Sequence, residues 1–473
     1  MADMEMRNIR VHKRSTIKEY YDTINSIRRL SQKKVKDLNR TQVAQAMGVS
    51  LATVSREVAE LIRQDAIEDV NGCLRVCADF GYFLGLQISA GIVRVTLLNF
   101  KLKPVDAEEL RKILRDNQLD EDILRELWDF DPIKNCYEDR SKERDNQKKP
   151  FIFYETATEN NEHIDYIINA LRFIVDKIQP LFAVIPLLAV GLATPGLTDE
   201  GRVIRFCPNV QPLVNQSIHG LLNATRLMVE NILVTYCHDT AADMMWIKES
   251  LYGPEFNGEA NEGNVSIIHI GSGVGSSFVF NRMLYYGKNN CAGEIGHFLA
   301  PRIKDELVEK KHKEDGGKAQ LTKKCDCKEN CIESEIQREI FDGKVPSVFF
   351  KTEIDTQEGK DEDKLKNYFN SKEHRLALFK EYIRILGQAI INYTNVGLLV
   401  FSGRLAPVIE DYINDKTLRF ESVQNIASNV CTVRASKGWV ETAARGAACA
   451  AYHKCLETSE PVRVSWKELK KID

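Results

Sequence analysis

Apolar positions recur at helical spacing near the start of the chain. Tyr20, Ile24, Ile27 and Leu30 share one face and predict an amphipathic helix. A short helix follows with Val43, Ala44 and Met47 inward, and Gly48 ends it, because glycine accepts the left-handed backbone of a tight turn. Ser50 is placed to cap the next helix, whose Val54, Val58, Leu61 and Ile62 form a buried stripe. Asn71-Gly72 is a two-residue hairpin signal and predicts a small wing.

From Gly81 the pattern becomes alternating strand and helix. Residues 82–100 read as strand, tight turn at Ser89–Gly91, and strand. Leu181–Leu192 reads as a buried strand ending in a TPG turn, and Ile232–Tyr236 as another, followed by a helix over Thr240–Tyr252. Val265–Ile270 and Ser276–Phe280 flank a glycine turn, Arg375–Asn395 is a long helix, Gly397–Phe401 a short buried strand, and Thr442–Lys454 a small-residue helix. The charged stretches 129–161, 302–324 and 341–373 read as solvated insertions. No repeat of fixed period is present.

With 473 residues, 43% hydrophobic and 28% charged, the chain expects two to four folded domains rather than disorder. The net charge of −3 hides an asymmetry. Met1–Arg56 carries twelve basic residues against five acids, so the remainder is acidic. A basic head on an acidic body fits contact with a polyanion at one end only. The longest apolar run, Leu181–Ala193, is too short for a membrane span and contains Pro186. The first residues lack the apolar core of a secretory signal, so a cytoplasmic protein is expected. The 12 cysteines are scattered except for Cys325, Cys327 and Cys331. Cys73, Cys77, Cys207, Cys237 and Cys449 read as small buried residues.

Helix, glycine turn and a second helix opening on a capped serine form the helix-turn-helix pattern. Opposite its stripe the second helix offers Ala52, Thr53, Ser55 and Arg56, with Ser50 at its start. Short polar side chains with one arginine suit the major groove, where arginine can be bidentate to guanine. An ordinary helical hairpin in a core is the alternative, against which stand the basic excess and the wing.

The body carries ATPG at 193–196, PN at 208–209, CHDTAAD at 237–243, HIGSGVGSS at 269–277, AGEIGH at 292–297, CDCKENCIE at 325–333 and FSGRL at 401–405. In this order the motifs resemble the ROK family of repressors and sugar kinases, and the N-terminal winged helix resembles its repressor branch. The resemblance implies an α/β, actin-like (ribonuclease-H-like) body of two lobes around a cleft. The implied division is a winged helix-turn-helix over 1–78, a first lobe over 79–196 completed by about 434–458, and a second lobe over 197–433. It implies sugar contacts from Asn209, Asp239, Glu294, His297 and Glu333. Carboxylates are strong acceptors for neighbouring hydroxyls, which fits that chemistry. It further implies a structural Zn2+ held by His297, Cys325, Cys327 and Cys331, a donor set that suits zinc. The chain departs from the family here, with three residues between the second and third cysteine where the family has four, and both glycines gone.

Kinases of the family begin with Asp-x-Gly-Gly/Ala-Thr, whose acid serves the Mg2+–phosphate end. This chain reads Gln87-Ile88-Ser89-Ala90-Gly91, and an amide cannot supply that charge. The second phosphate loop, Gly271–Gly275, is retained. Asp239 is the equivalent of the kinase base, and in a sensor it need only accept a sugar hydroxyl. The expectation is a non-enzymatic, sugar-responsive repressor that binds operator DNA as a homodimer or tetramer, away from any membrane. A sugar kinase with an accessory DNA-binding head, and a constitutive DNA binder with a dead pocket, are the alternatives. Three carboxylates around the sugar weigh against a phosphate placed among them.

Overall fold

A computed structural model describes residues 19–33, 35, 37–89, 92–105, 107–116, 130–131, 136–137, 164–179, 182, 185–199, 203–207, 210–224, 232–250, 264–271, 273–281, 283–288, 292–298, 331–336, 373–403, 405–416, 418–420, 431–436 and 442–457. The head comprises α1 (Tyr21–Gln32), α2 (Arg40–Met47), α3 (Leu51–Arg63), β1 (Ile67–Val70) and β2 (Cys73–Val76). Its boundaries are locally determined. Asn39 and Gln42 form a reciprocal cap at the start of α2, and Gly48 closes α2 at φ 66°. The Ser50 hydroxyl accepts from the Thr53 amide to start α3. Asn71 and Gly72 both take positive φ between antiparallel β1 and β2, which gives the expected wing. Ile24, Ile27, Val43, Val54, Val58 and Leu61 meet in the core between the helices.

The body continues with β3 (Tyr82–Ser89), β4 (Ile92–Asn99), α4 (Ala107–Asp116), β5 (Phe130–Asp131), β6 (Cys136–Tyr137), α5 (Ile164–Ile178), β7 (Leu187–Thr194), β8 (Leu197–Asp199), β9 (Val203–Phe206), α6 (Ile218–Ala224), β10 (Leu233–His238) and α7 (Asp239–Ser250). It ends with β11 (Val265–Ile270), β12 (Val274–Phe280), β13 (Met283–Tyr285), α8 (Ile332–Glu335), α9 (Glu373–Thr394), β14 (Leu398–Ser402), α10 (Ala406–Asn414), β15 (Thr432–Ala435) and α11 (Thr442–Glu457). The first large sheet runs β10-β7-β3-β4 and the second β13-β12-β11-β14-β15. Both sheets follow one plan, an antiparallel hairpin whose first strand is extended by parallel strands. This is the two-lobed α/β architecture the motifs implied.

Some boundaries move. β10 pairs in parallel with β7, so the first lobe's sheet extends past the division expected at residue 196. The strand expected over Leu181–Leu192 forms over Leu187–Thr194, since Pro186 has no amide hydrogen for a ladder. The strand expected at Ser276 starts at Val274, and the helix expected at Thr240 starts at Asp239. The stretches 302–324 and 341–372 lie outside the described residues, as does 129–161 apart from β5 and β6. Cys207, Cys237 and Cys449 are buried as expected, whereas Cys73 and Cys77 on the wing are only half-buried. Burial pushes the Cys207 and Cys237 thiols up to about 12, as suits unreactive core residues.

The head is not tethered by a loose linker. One apolar cluster runs from Ile24 and Val58 through Phe80, Phe83 and Phe100 to Leu188 and Tyr452, and so joins the head to the first lobe. A buried polar cluster reinforces it. Arg28, one of the twelve basic residues counted over Met1–Arg56, is turned inward and paired with Glu249 of α7 at 2.5 Å. Glu249 also meets His453 of α11 at 2.8 Å, and the Tyr21 hydroxyl lies 2.9 Å from the other nitrogen of that ring. The Tyr452 hydroxyl and Arg28 both donate to the Asn25 side chain. Burial alone would raise the Glu249 pKa, but Arg28, His453 and Arg29 outweigh it and hold the carboxyl well below its ordinary range.

Removing one partner of such a pair strands the other charge. Arg28→Ala is expected to cost ~3–5 kcal/mol in denaturant unfolding, and Arg28→Met with Glu249→Leu much less. Because the Glu249 pKa is lowered on folding, its contribution is present above the unfolded value of 4.5 and lost as pH falls through the folded value. An unfolding midpoint insensitive to Arg28→Ala would contradict the pairing.

Candidate functional site

The site is assembled at the N-terminus of α7. Asp239 opens that helix with one oxygen 2.7 Å from the Thr240 amide, where a carboxylate complements the helix dipole. The His238 Nδ1 lies 3.1 Å from the same oxygen and 2.9 Å from the Thr240 hydroxyl. β10 delivers this pair at the carboxyl end of a parallel strand, the position where open α/β sheets present ligands.

The glycine strand β12 lies beside it. A Cβ at Gly275 would sit 2.8 Å from the Thr240 methyl, so Thr240 packs directly on the strand. Ser276 hydrogen-bonds through its amide to the Gly293 carbonyl at 2.7 Å, which pins the turn that carries Glu294. Glu294 lies 3.6 Å from the His297 Nε2. Burial raises the Glu294 pKa, opposed by His238 and His297 and assisted by Asp239, so these four side chains share one electrostatic neighbourhood.

Glu333 is buried, with one carboxylate oxygen accepting from the Val274 amide at 2.8 Å. It therefore clamps the glycine loop to the segment bearing Cys331. The Ile332 amide donates to the Phe298 carbonyl at 2.9 Å, which brings Cys331 and His297 onto neighbouring segments. The Cys331 sulfur accepts from the Ser334 amide at 3.4 Å. Cys325 and Cys327 lie outside the described residues, and among the described residues no group of three metal-binding side chains converges. Asn209 is likewise outside them, but its neighbours reach the site. The Phe206 ring is 6.5 Å from that of His297, and Cys207 feels the Asp239 charge.

Gln87 is buried in β3 and accepts from Arg94 of β4 at 3.3 Å. Sequence reasoning missed Arg94, and it missed a second polar group. Asp243, one turn after Asp239, contacts His269 at 2.5 Å and accepts from the buried Ser402 hydroxyl at 3.2 Å. Burial opposes charge on His269, yet Asp243 wins and raises its pKa. The trio is no nucleophilic triad. Ser402 approaches the same ring nitrogen that faces Asp243, whereas a nucleophile must face the other. The i,i+4 spacing of Asp239 and Asp243 was the available signal.

In the head, Ser50, Ala52 and Arg56 are exposed and Thr53 and Ser55 partly so. Val49 and Leu51 are exposed beside them, an apolar flank the stripe analysis passed over. No helix among the described residues is long and apolar enough to cross a membrane.

Because the Glu294 pKa is raised on folding, its charge opposes folding above that pKa. Glu294→Gln should therefore melt higher than the parent near pH 7.5, with the gap closing as pH falls towards the ordinary value of 4.5. A variant melting lower at both pH values would contradict a desolvated carboxylate there.

Comparison with known proteins agrees with this architecture. Residues 138–453 match the ROK family. An N-acetyl-D-glucosamine kinase of Yersinia enterocolitica is 31% identical over 115 residues, which cover 24% of this chain and 34% of that protein, so the chain spans only about a third of this relative. Among solved structures, a ROK family transcriptional regulator, a homologue of the E. coli MLC protein, superposes with a TM-score of 0.54 at 14% identity, covering 93% of this chain and 97% of that one. A ROK family glucokinase from Streptomyces griseus, in complex with glucose and AMPPNP, gives 0.47 at 16% identity, covering 79% and 100%.

Proposed function

The chain belongs to the ROK family, and from that premise we propose that it is a sugar-responsive transcriptional regulator: a repressor that leaves its operator when a sugar occupies the cleft. The observation that carries the reading is Gln87, an amide engaged with the Arg94 guanidinium where the family's kinases place an acid. A neutral side chain beside a cation does not recruit Mg2+, so the cleft keeps its sugar acceptors without the means to transfer phosphate. Asp239, Glu294 and Glu333 with Asn209 and His297 are the sugar-binding set. The exposed Ser50, Ala52, Thr53, Ser55 and Arg56 are the DNA-reading set. Superposition of almost the whole chain on a ROK family regulator supports the reading. A two-fold dimer would match a pseudo-palindromic operator. The second reading is a sugar kinase, and the N-acetyl-D-glucosamine kinase relatives favour it.

Zinc belongs to the same proposal. His297 and Cys331 on their neighbouring segments, with Cys325 and Cys327, would hold one Zn2+ in a closed structural site. Metal analysis of protein purified without chelator should find about one zinc per chain. Finding none would remove the metal and leave the carboxylates in place.

A thermal-shift screen of monosaccharides and their phosphates should identify a stabilising sugar, because ligands of the native state raise apparent stability. Glu294→Ala should abolish that shift yet still bind operator DNA, whereas Arg56→Ala should keep the shift and lose ~1–3 kcal/mol of specific DNA binding. Phosphorylation of the stabilising sugar at ~1–100 s⁻¹ would establish the kinase reading instead.

A further inference from the structure

Helix α7 starts at the candidate sugar site and ends against α1 of the head. Asp239 faces the sugar acceptors, and Glu249, about 15 Å away at ~1.5 Å per residue, holds the head. Its two faces are fixed differently. Met244 and Ile247 pack with Val265, Ile267, Leu398 and Val400 of the second sheet, and Asp243 ties to His269 and Ser402 on the same side. Ala242 faces α11 so closely that a Cβ on Gly446 would lie 1.6 Å from its carbonyl oxygen. At the far end Glu249 holds Arg28 and Arg29 of α1 and His453 of α11.

We propose that Arg28, Glu249 and His453 position the DNA-reading head on the Asp239–Ser250 helix, so that occupancy of the sugar site reaches the head as a movement of that helix. The proposal rests on the regulator reading above. A head on a flexible tether would not sense such a movement. Here the junction is pinned, with the Cys77 amide bonded to Ala66, the Phe100 amide to Ala78 and the Tyr82 amide to Pro186. Separating Arg28 from Glu249 would strand a buried carboxylate, so the head follows the helix rather than releasing it. An ordinary buried ion pair would contribute to folding alone. This one joins the head to the helix whose first residue is a candidate ligand, which makes the three side chains positioning residues.

The test uses the full chain and duplex DNA that the parent protein selects from a random-sequence pool. Affinity is measured with and without glucose, N-acetylglucosamine and their 6-phosphates. The parent should lose at least ~5-fold affinity with one of these sugars. Arg28→Met with Glu249→Leu removes both charges and keeps an apolar contact. It should bind the sugar and the sugar-free DNA as the parent does, with the sugar effect on DNA gone. Tyr21→Phe removes only the hydroxyl contact to His453 and should show a reduced response with only a small loss of melting temperature. It supplies the answer if the double variant does not fold. A full sugar response in either folded variant would overturn the positioning role and leave the regulator reading intact. A parent whose DNA affinity responds to none of the four sugars, nor to any sugar that raises its melting temperature, would overturn both.

Discussion

The arrangement depends on how closely helix α11 can approach its neighbours. A Cβ on Gly85 would lie 1.9 Å from the Ala444 carbonyl oxygen, and one on Gly191 the same distance from that of Ala447. Gly446 makes the equivalent approach to Ala242 on α7. Backbone therefore meets backbone across two helices and the first sheet, and no side-chain rearrangement can take up slack between them. That contact joins α7 to the first lobe, so helix and lobe move as one unit. The unit presents Asp239 at the cleft and Glu249 at the head.

The same close packing shapes the cleft. Gly293 and Gly296 let the Glu294 turn lie against β12, where any side chain would strike the Ser276 or Val274 carbonyl. Glu333 then locks the glycine loop through the Val274 amide. The glycine loop is thus engaged with the segment that bears Glu333. Gln87 accepts from Arg94 at the position where kinases of the family carry an acid. Under the proposed function the cleft keeps sugar acceptors without transfer chemistry, the combination a sensor needs.

The head was legible in the sequence because its determinants are local. The Ser50 cap, the Gly48 stop, the Asn71-Gly72 turn and the α3 stripe each act within a few residues. Asp239 and Glu294 were legible through motifs, and the structure brings them into one electrostatic neighbourhood. The groups that join the parts were not legible. Arg28 and Glu249 are 221 residues apart, and Asp243 and Ser402 159 apart. Charge counting put Arg28 in the basic excess of the head, because counting does not see burial. Hydrophobic periodicity found a strand over Ile232–Tyr236, which forms over Leu233–His238, but not its partner, since period reports an exposed face rather than a neighbour.

Under the proposed function, sugar and operator DNA act on one body in opposite directions. Thermodynamic linkage makes that reciprocal: DNA must weaken sugar binding by the factor by which sugar weakens DNA binding. The most direct measurement is a calorimetric titration of the stabilising sugar into free protein and into protein saturated with operator. Sugar binding is expected to be weaker in the complex, by the same ~5–150-fold factor by which the sugar weakens DNA binding. Equal sugar affinity in the two states would contradict it.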